Sequence, residues 1–311
     1  VTAIETIDIY TTEAFTVAVD DETVASGQTV NITNTKHTTA IATINATAVS
    51  TSGGNVNITL TGTSGNAGNH IVTLGFGDDT LTSSTSGAHN SVTATAGTNT
   101  ITLGTDEDTV VSGTGIDTID FGDDNVIDTY STLGNDSANS YAQDVLTNFD
   151  NINAGGSIAE DVISFNLTEI AKLGSGGTTL TLLDIGKSTV NVAATNAAVI
   201  TDVTAAYDLV GTTSTNILAL DADFASTSAV EDALEAGGSM QLTANIALEI
   251  QDGFVVTYDD GTDSYVAVME VLGVVGNDDT FHSGSLKTHS IAKISGLADN
   301  TDLIIGNFAF A

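Results

Sequence analysis

The sequence predicts an all-β protein, with a parallel β-roll or β-solenoid of nine-residue repeats followed by a β-rich C-terminal domain that contains a short helix. Three observations predict this class. Thr, Val and Ile are frequent while Pro is absent, short segments alternate apolar and polar residues, and polar residues recur every nine positions between about 75 and 125. β-branched side chains suit a pleated sheet, and alternation with period two is typical of half-buried strands. We expect two domains, 1–165 and 166–311.

The first 60 residues are expected to form strands only. Alternating segments lie at 4–9, 15–19, 30–32, 41–44 and 56–60, and turn residues such as Ser26-Gly27 separate them. Apolar residues at every second position, bounded by Gly and Ser, indicate strands rather than helices.

The repeat block keeps one register over four copies. Its polar positions are Asn90, Asn99, Asp108 and Asp117, and the apolar positions two residues further on are Val92, Ile101, Val110 and Ile119. Each copy is expected to be a turn followed by a short strand whose apolar residue points inward. Because two copies complete one coil, residues 18 apart should stack, Asn90 on Asp108 and Asn99 on Asp117.

Glycine-rich turns that end in Asp, of the form G-G-x-G-x-D-x-U-x, are typical of calcium-binding β-rolls. Glycine permits the tight turn, and Asp adds the oxygen ligands that Ca²⁺ prefers. The candidate ligands are Asp78, Asp79, Asn90, Asn99, Asp106, Asp108, Asp117 and Asp124. Thr95 and Asp106 replace expected glycines, so we expect one to a few Ca²⁺ ions. The alternative is a calcium-free solenoid in which Asp and Asn only cap turns.

The second domain is expected to be β-rich, with strands at 180–192 and 197–203 and a hairpin at 254–268 that turns at Asp260-Gly261. A helix is predicted at 228–236, because Ser228 and Glu231 form a capping box and Gly237-Gly238 ends the segment.

The charge excludes several classes of protein. The chain has 40 acidic residues against five basic ones, all Lys, and a formal net charge of -35. Nucleic-acid binding needs clustered Lys and Arg, so no nucleic-acid partner is expected. There is no Cys for a disulfide or a Cys-based zinc site, and no apolar run long enough for a transmembrane helix. The hydrophobic fraction of 41% argues for a folded chain rather than an acidic disordered one.

No catalytic motif is present. The sequence has no His-Glu-x-x-His, no Gly-x-Ser-x-Gly and no Walker loop. His282 and His289, seven residues apart, were considered as a metal pair, but surface or packing roles fit them better. The acid pairs at 123–124 and 278–279 suit turns or Ca²⁺ ligation. We therefore expect a protein that is not an enzyme, with no catalytic residues.

Two segments after the repeats resemble the closing part of RTX β-rolls, namely residues 144–150 and 160–165, with Asn148 departing from the usual Asp. Residues 217–311 resemble the C-terminal region of RTX-type bacterial S-layer proteins of the Caulobacter type. The resemblance implies a secreted, cell-surface protein, exported by type I secretion machinery through an uncleaved signal in the last 60 or so residues. It also implies Ca²⁺-dependent folding outside the cell and self-assembly.

The leading hypothesis is therefore an extracellular, calcium-dependent, self-assembling structural protein, either an S-layer protein or a filament or matrix subunit. The alternative is the C-terminal calcium-binding secretion module of a larger exported adhesin or enzyme. A third hypothesis, ice binding, starts from Thr-x-Thr segments such as 100–102, which also reflect strand propensity. Since the chain begins at Val1, a fragment or a processed product is expected.

Overall fold

The computed structural model describes residues 5–35, 41–50, 54–61, 69–83, 89–122, 126–132, 143–150, 160–185, 190–194, 196–209, 214–244, 247–276 and 279–311. The chain divides into two compact units. Unit 1 comprises Val1–Gly134 and Gln143–Ile163, and unit 2 comprises Asn135–Ala142 and Ser164–Ala311. The protein is mostly β and its sheets are largely parallel, which confirms the predicted all-β class.

Fourteen strands are described from the start of the chain to the end of unit 1. They are β1 Thr6–Ile9, β2 Phe15–Asp20, β3 Thr29–Asn34, β4 Ala42–Ala48, β5 Asn55–Leu60, β6 His70–Thr73, β7 Thr80–Ser83, β8 Asn90–Thr93, β9 Thr100–Thr102, β10 Thr109–Ser112, β11 Thr118–Asp120, β12 Thr129–Thr132, β13 Asp144–Thr147 and β14 Val162–Phe165. Each segment predicted as a strand in the first 60 residues overlaps one of them.

Successive strands alternate between two parallel sheets. The odd-numbered strands follow each other in the order β1-β3-β5-β7-β9-β11-β13, and the even-numbered strands in the order β2-β4-β6-β8-β10-β12-β14. In the repeat block the register is continuous, because Thr100 of β9 pairs with Thr80 of β7 on one side and with Thr118 of β11 on the other. The spacing of 18 residues predicted from the repeats is therefore the spacing of neighbouring strands in each sheet.

The core of unit 1 lies on the inner faces of these sheets. The four apolar repeat residues, Val92, Ile101, Val110 and Ile119, are fully buried, as predicted. Side chains from the two sheets meet there: Tyr130 of β12 donates a hydrogen bond to Asp144 of β13 over 2.7 Å. Alternation with period two thus places one apolar row per sheet in the interior.

Unit 2 contains eleven further described strands and two α-helices. They are α1 Leu167–Ile170, β15 Thr181–Asp184, β16 Val190–Asn191, β17 Ile200–Val203, β18 Tyr207–Leu209, β19 Ile217–Asp223, α2 Thr227–Leu234, β20 Leu242–Ala244, β21 Asp252–Asp259, β22 Ser264–Val271, β23 Asp279–Thr280, β24 Leu286–Ile294 and β25 Phe308–Phe310. Short 3-10 turns lie at Ala171–Leu173, Ser175–Gly177, Asn300–Asp302 and Ile305–Asn307.

The main sheet of unit 2 is mixed. β21 and β22 form the predicted antiparallel hairpin, and β24 pairs antiparallel with β22. On the other side of β21, β19 and β15 run parallel to it. The hairpin loop has four residues rather than a two-residue Asp-Gly turn, since β21 ends at Asp259 and β22 begins at Ser264.

The predicted helix is present, but it begins earlier than expected. The Oγ of Ser226 accepts a hydrogen bond from the N–H of Ala229, so Ser226, not Ser228, is the N-cap of α2. Glu231, the expected partner in the capping box, instead accepts the N–H of Thr288 in β24 over 2.7 Å. The capping-box assignment at Ser228 was therefore wrong, because a tertiary contact takes its acidic residue. Within the described residues, no helix is both long and apolar enough to cross a membrane.

Candidate functional site: buried ladders and calcium-binding turns

Two ladders of Asp and Asn side chains run through unit 1, one for each sheet. Every member stands at the entrance to a strand and is almost fully buried. The odd-sheet ladder consists of Asp79, Asn99, Asp117 and Asp144, and the even-sheet ladder consists of Asn90, Asp108, Asp128 and Asp161. The sequence period identified four of these eight residues as repeat positions.

Each ladder residue caps the backbone of the preceding one. In the odd sheet, the N–H of Asp79 donates to Asn99 Oδ1 over 3.0 Å, Asn99 to Asp117 over 2.9 Å, and Asp117 to Asp144 over 2.8 Å. The even sheet repeats this arrangement, and the N–H of Asn90 donates to Asp108 Oδ1 over 2.6 Å. A buried N–H at a turn needs an acceptor, and these side chains supply it. The predicted stacking of Asn90 on Asp108 and of Asn99 on Asp117 is confirmed.

The two Asn residues also separate negative charges. The amide Nδ2 of Asn99 donates to Asp117 Oδ1 over 2.8 Å, and that of Asn90 donates to Asp108 Oδ1 over 2.7 Å. A carboxylate in either place could accept hydrogen bonds but could not donate to the Asp beside it. Asn in these repeats therefore has a role of its own in the ladder.

The buried carboxyls of the odd-sheet ladder hold their protons unusually tightly. Burial raises the pKa of Asp79 to about 6. Burial, together with the charge of Asp117, raises the pKa of Asp144 to about 7. Asp144 also accepts hydrogen bonds from the hydroxyls of Ser112 and Tyr130. These carboxyls lie in a region of low basic content, because Lys36 is the only Lys or Arg among residues 1–163 of the sequence.

The candidate calcium ligands fall into two groups. Asp79, Asn90, Asn99, Asp108 and Asp117 belong to the ladders, and both carboxylate oxygens of Asp79 accept N–H groups, from Val56 and Gly75. These five have a structural role whether or not a cation binds. Asp78 and Asp106 lie instead in turns, before strands of different sheets. Asp124 lies outside the described residues.

The turns themselves are lined by backbone oxygen. Gly115 has a φ of 123°, and a Cβ there would meet the carbonyl oxygen of Gly97 at 1.7 Å. On the side of Asp106, a Cβ on Gly122 would meet the carbonyl oxygen of Gly104 at 2.2 Å. Glycine is thus required where the backbone of one coil approaches the carbonyls of the next.

These turns offer the donors that Ca²⁺ prefers, since it is bound by carboxylate and carbonyl oxygens. Asp106 adds a carboxylate beside the Gly104 carbonyl, and its Oδ1 lies 3.7 Å from Nε2 of His89. The donor chemistry of the turns therefore fits Ca²⁺ better than that of the ladders, whose oxygens accept N–H groups. Within the described ranges, no three acidic or His side chains converge to hold a metal ion.

Sequence reasoning missed the lower ladder residues. Asp144 lies 27 residues after Asp117, and Asp161 lies 33 after Asp128, so longer connections break the period of 18. The available signal was the strand entrance, because each of these Asp residues stands at or immediately before the first residue of a short β segment, as Asp117 does.

Unit 2 contains a separate buried ion pair. Glu270 accepts hydrogen bonds from His289 Nε2 over 2.9 Å and from the N–H of Ser175 over 2.7 Å. Burial opposes the ionisation of Glu270, but these hydrogen bonds outweigh it and lower its pKa. Burial lowers the pKa of His289. His282 is exposed and lies 3.9 Å from Asp279, so the two histidines considered as a metal pair have different carboxylate partners.

The fold and the ladders define a class: a mostly β protein with parallel sheets whose strand entrances are capped by buried Asp and Asn. Comparison with known proteins finds no matching family model, no matching curated protein and no matching solved structure.

Proposed function

We propose that this chain is an extracellular, calcium-dependent structural protein that assembles with copies of itself, and that unit 1 is a parallel β-roll of the RTX type. The observation that carries the proposal is the ladder arrangement: buried carboxyls occur at successive strand entrances of a region with one basic residue in its sequence. Such an arrangement supports a structural role, because the acidic side chains connect neighbouring strands rather than converging on a cavity.

Three features support the β-roll. Strands alternate between two parallel sheets, the repeats advance 18 residues per sheet position, and glycines bring successive turns into close backbone contact. In a β-roll the turns between strands bind Ca²⁺. We assign that role to the turns containing Asp78 and Asp106, where carboxylate oxygens accompany backbone carbonyls.

Calcium dependence follows from the balance of charge. Buried carboxylates without basic partners favour protonation or unfolding, and a bound cation at the turns lowers their energy. A ligand that binds only the folded state stabilises it by mass action. Low Ca²⁺ inside the cell would leave the chain open for export by type I secretion, and Ca²⁺ at the cell surface would drive folding.

Assembly would use the open edge of unit 1. Among the described strands, β1 pairs only with β3 and β2 only with β4. The apolar residues Ile7 and Ile9 of β1 are only half-buried. An unprotected edge strand with partly exposed apolar residues can pair with another chain.

The test is a Ca²⁺ titration of the chelated protein, followed by circular dichroism, thermal melting and electron microscopy. We expect Ca²⁺ to raise the melting temperature and to produce ordered sheets or filaments. The variant Ile9→Lys should fold with Ca²⁺ but fail to assemble, whereas Thr29→Lys, an exposed position on the inner strand β3, should assemble normally.

The outcomes separate the hypotheses. A protein that folds with Ca²⁺ but stays monomeric would favour the C-terminal secretion module of a larger exported protein. Melting and circular dichroism unchanged by chelation would overturn the calcium proposal itself.

A further inference from the structure

Two carboxylates meet at the end of β21, in unit 2 and outside the repeats. Asp223 of β19 and Asp259 of β21 are directly paired on neighbouring parallel strands. The Gly261 position lies between them, because its N–H donates to Asp259 Oδ1 over 3.0 Å and a Cβ there would lie 3.1 Å from Asp223 Oδ2. Asp259 is buried, while Asp223 is exposed. Like charges in this arrangement repel each other.

A buried amide oxygen lies against the same strand end. Asn300 is fully buried, its Nδ2 donates to Thr257 Oγ1 over 3.0 Å, and its backbone N–H donates to Asp259 Oδ2 over 3.4 Å. Its Oδ1 is also buried and accepts no hydrogen bond from any described residue. The turn Asn300–Asp302 packs against both β19 and β21, the strands that carry the two carboxylates. An unsatisfied buried carbonyl is costly, and one beside two carboxylates suggests a missing positive partner.

We propose that Asp223, Asp259 and Asn300 form a binding site for one divalent, oxygen-preferring cation of the calcium class. Two carboxylates and an amide carbonyl are hard oxygen donors, the set that Ca²⁺ takes in proteins, and the exposed side of Asp223 leaves room for water ligands. This site is independent of the repeats and does not rest on the proposed function.

The neighbouring charged groups are already engaged. Lys293 Nζ lies 2.7 Å from Asp263, and Asp260 accepts a hydrogen bond from the hydroxyl of Tyr265 over 2.6 Å. Burial, and further the adjacent Asp223, raise the pKa of Asp259. The competing explanation is therefore a proton shared by the two carboxyls, and the experiment must separate a proton from a cation.

The test compares the full-length chain with the variants Asp223→Asn and Asp259→Asn. The control Asp221→Asn removes an exposed carboxylate from the same strand two residues earlier. Calorimetric titration counts bound Ca²⁺, and Tb³⁺ emission excited through tyrosine reports on this site, since Tyr258 precedes Asp259 and the chain has no Trp. We expect both variants to bind one Ca²⁺ fewer and to lose the corresponding Tb³⁺ emission, while Asp221→Asn binds as the unmodified chain does.

Equal stoichiometry and affinity within twofold in Asp223→Asn would overturn the site. An increase in melting temperature in that variant, with binding unchanged, would identify a shared proton instead. The variant Asp106→Asn tests the repeat turns separately. Loss of a cation there but not in Asp223→Asn would leave the proposed function standing without this site, and the reverse result would leave this site standing alone.

Discussion

Asn and Asp are not interchangeable in the ladders. Asn99 accepts the N–H of Asp79 and donates its amide to Asp117, so it connects three successive strands of one sheet. From sequence alone, Asn at a repeat position reads as a weak calcium ligand. The hydrogen bonds show that it also supplies donors to a carboxylate in a region with little positive charge.

The variant Asn99→Asp separates these two roles. If Asn99 serves the ladder, the new carboxylate faces Asp117 without a donor, and the free energy of unfolding at pH 8 with chelator should fall by about 2–3 kcal/mol. The loss should shrink at pH 5, where one carboxyl is protonated. Thr100→Asp adds the same charge on the exposed face one residue later and should change stability little. Chemical denaturation measures all three proteins, and a more stable Asn99→Asp would contradict the ladder role.

Asp144 should make stability depend on pH. Its folded pKa of about 7 lies above its unfolded value of about 3.9. The stability that it contributes is therefore complete below pH 4 and is lost as the pH rises through 7, by up to about 4 kcal/mol. With chelator present, Asp144→Asn should reduce this decline and be more stable than the unmodified chain at pH 8. Denaturation curves at pH 5 and pH 8 check it, and an unchanged pH slope would show that Asp144 is not the group responsible.

At the scale of the elements, short strands depend on the turns between them. The strands of the repeat block have three or four residues, so neither propensity nor length fixes them. The glycine turns and the ladder capping define where each strand begins.

Gly115→Ala tests the close approach of successive turns. Its Cβ would meet the Gly97 carbonyl oxygen at 1.7 Å, and its φ of 123° is unfavourable for Ala. Gly27 has a φ of 71° with no atom within 4 Å of a Cβ, so Gly27→Ala carries only the conformational cost, about 1 kcal/mol. We expect Gly115→Ala to lose at least about 3 kcal/mol. Equal melting temperatures for the two variants would refute the contact.

The start of α2 gives a second test between neighbouring residues. Ser226→Ala should destabilise unit 2 by about 1 kcal/mol, because it removes the acceptor for the N–H of Ala229. Ser228→Ala, at the cap predicted from sequence, should be nearly neutral, since Ser228 is exposed within the first turn. Thermal melting distinguishes them, and the reverse order would restore the sequence-based assignment.

Local signals predicted the elements better than their connections. Period-two alternation located β1 to β5, and the nine-residue period located the inward residues Ile101 and Ile119, because both depend on neighbouring positions in the chain. The ladder members Asp144 and Asp161 were missed because long connections precede them. Asn300 was missed because its partner Thr257 is 43 residues away. Contacts of that length are set by tertiary packing and leave no local pattern.

The whole molecule combines a net charge of -35 with carboxyls that are buried rather than dispersed in solvent. Salt screens exposed charges that are separated by more than about 10 Å at 0.1 M ionic strength, but it screens buried groups much less. Nonspecific screening and specific cation binding therefore predict different responses to ions.

We expect 1 mM CaCl₂ to raise the melting temperature of the chelated protein by more than 150 mM NaCl does, although NaCl supplies far more ionic strength. A cation held by oxygen ligands stabilises the folded state through its binding constant, and its effect should saturate with concentration. MgCl₂ at 1 mM is the control for divalent charge, and it should do less, because Mg²⁺ gives up its water ligands reluctantly and demands a strict octahedral geometry. Scanning calorimetry in each salt decides between the two mechanisms: equal shifts from 1 mM CaCl₂ and MgCl₂, both smaller than that from NaCl, would assign the whole effect to screening of the surface charge.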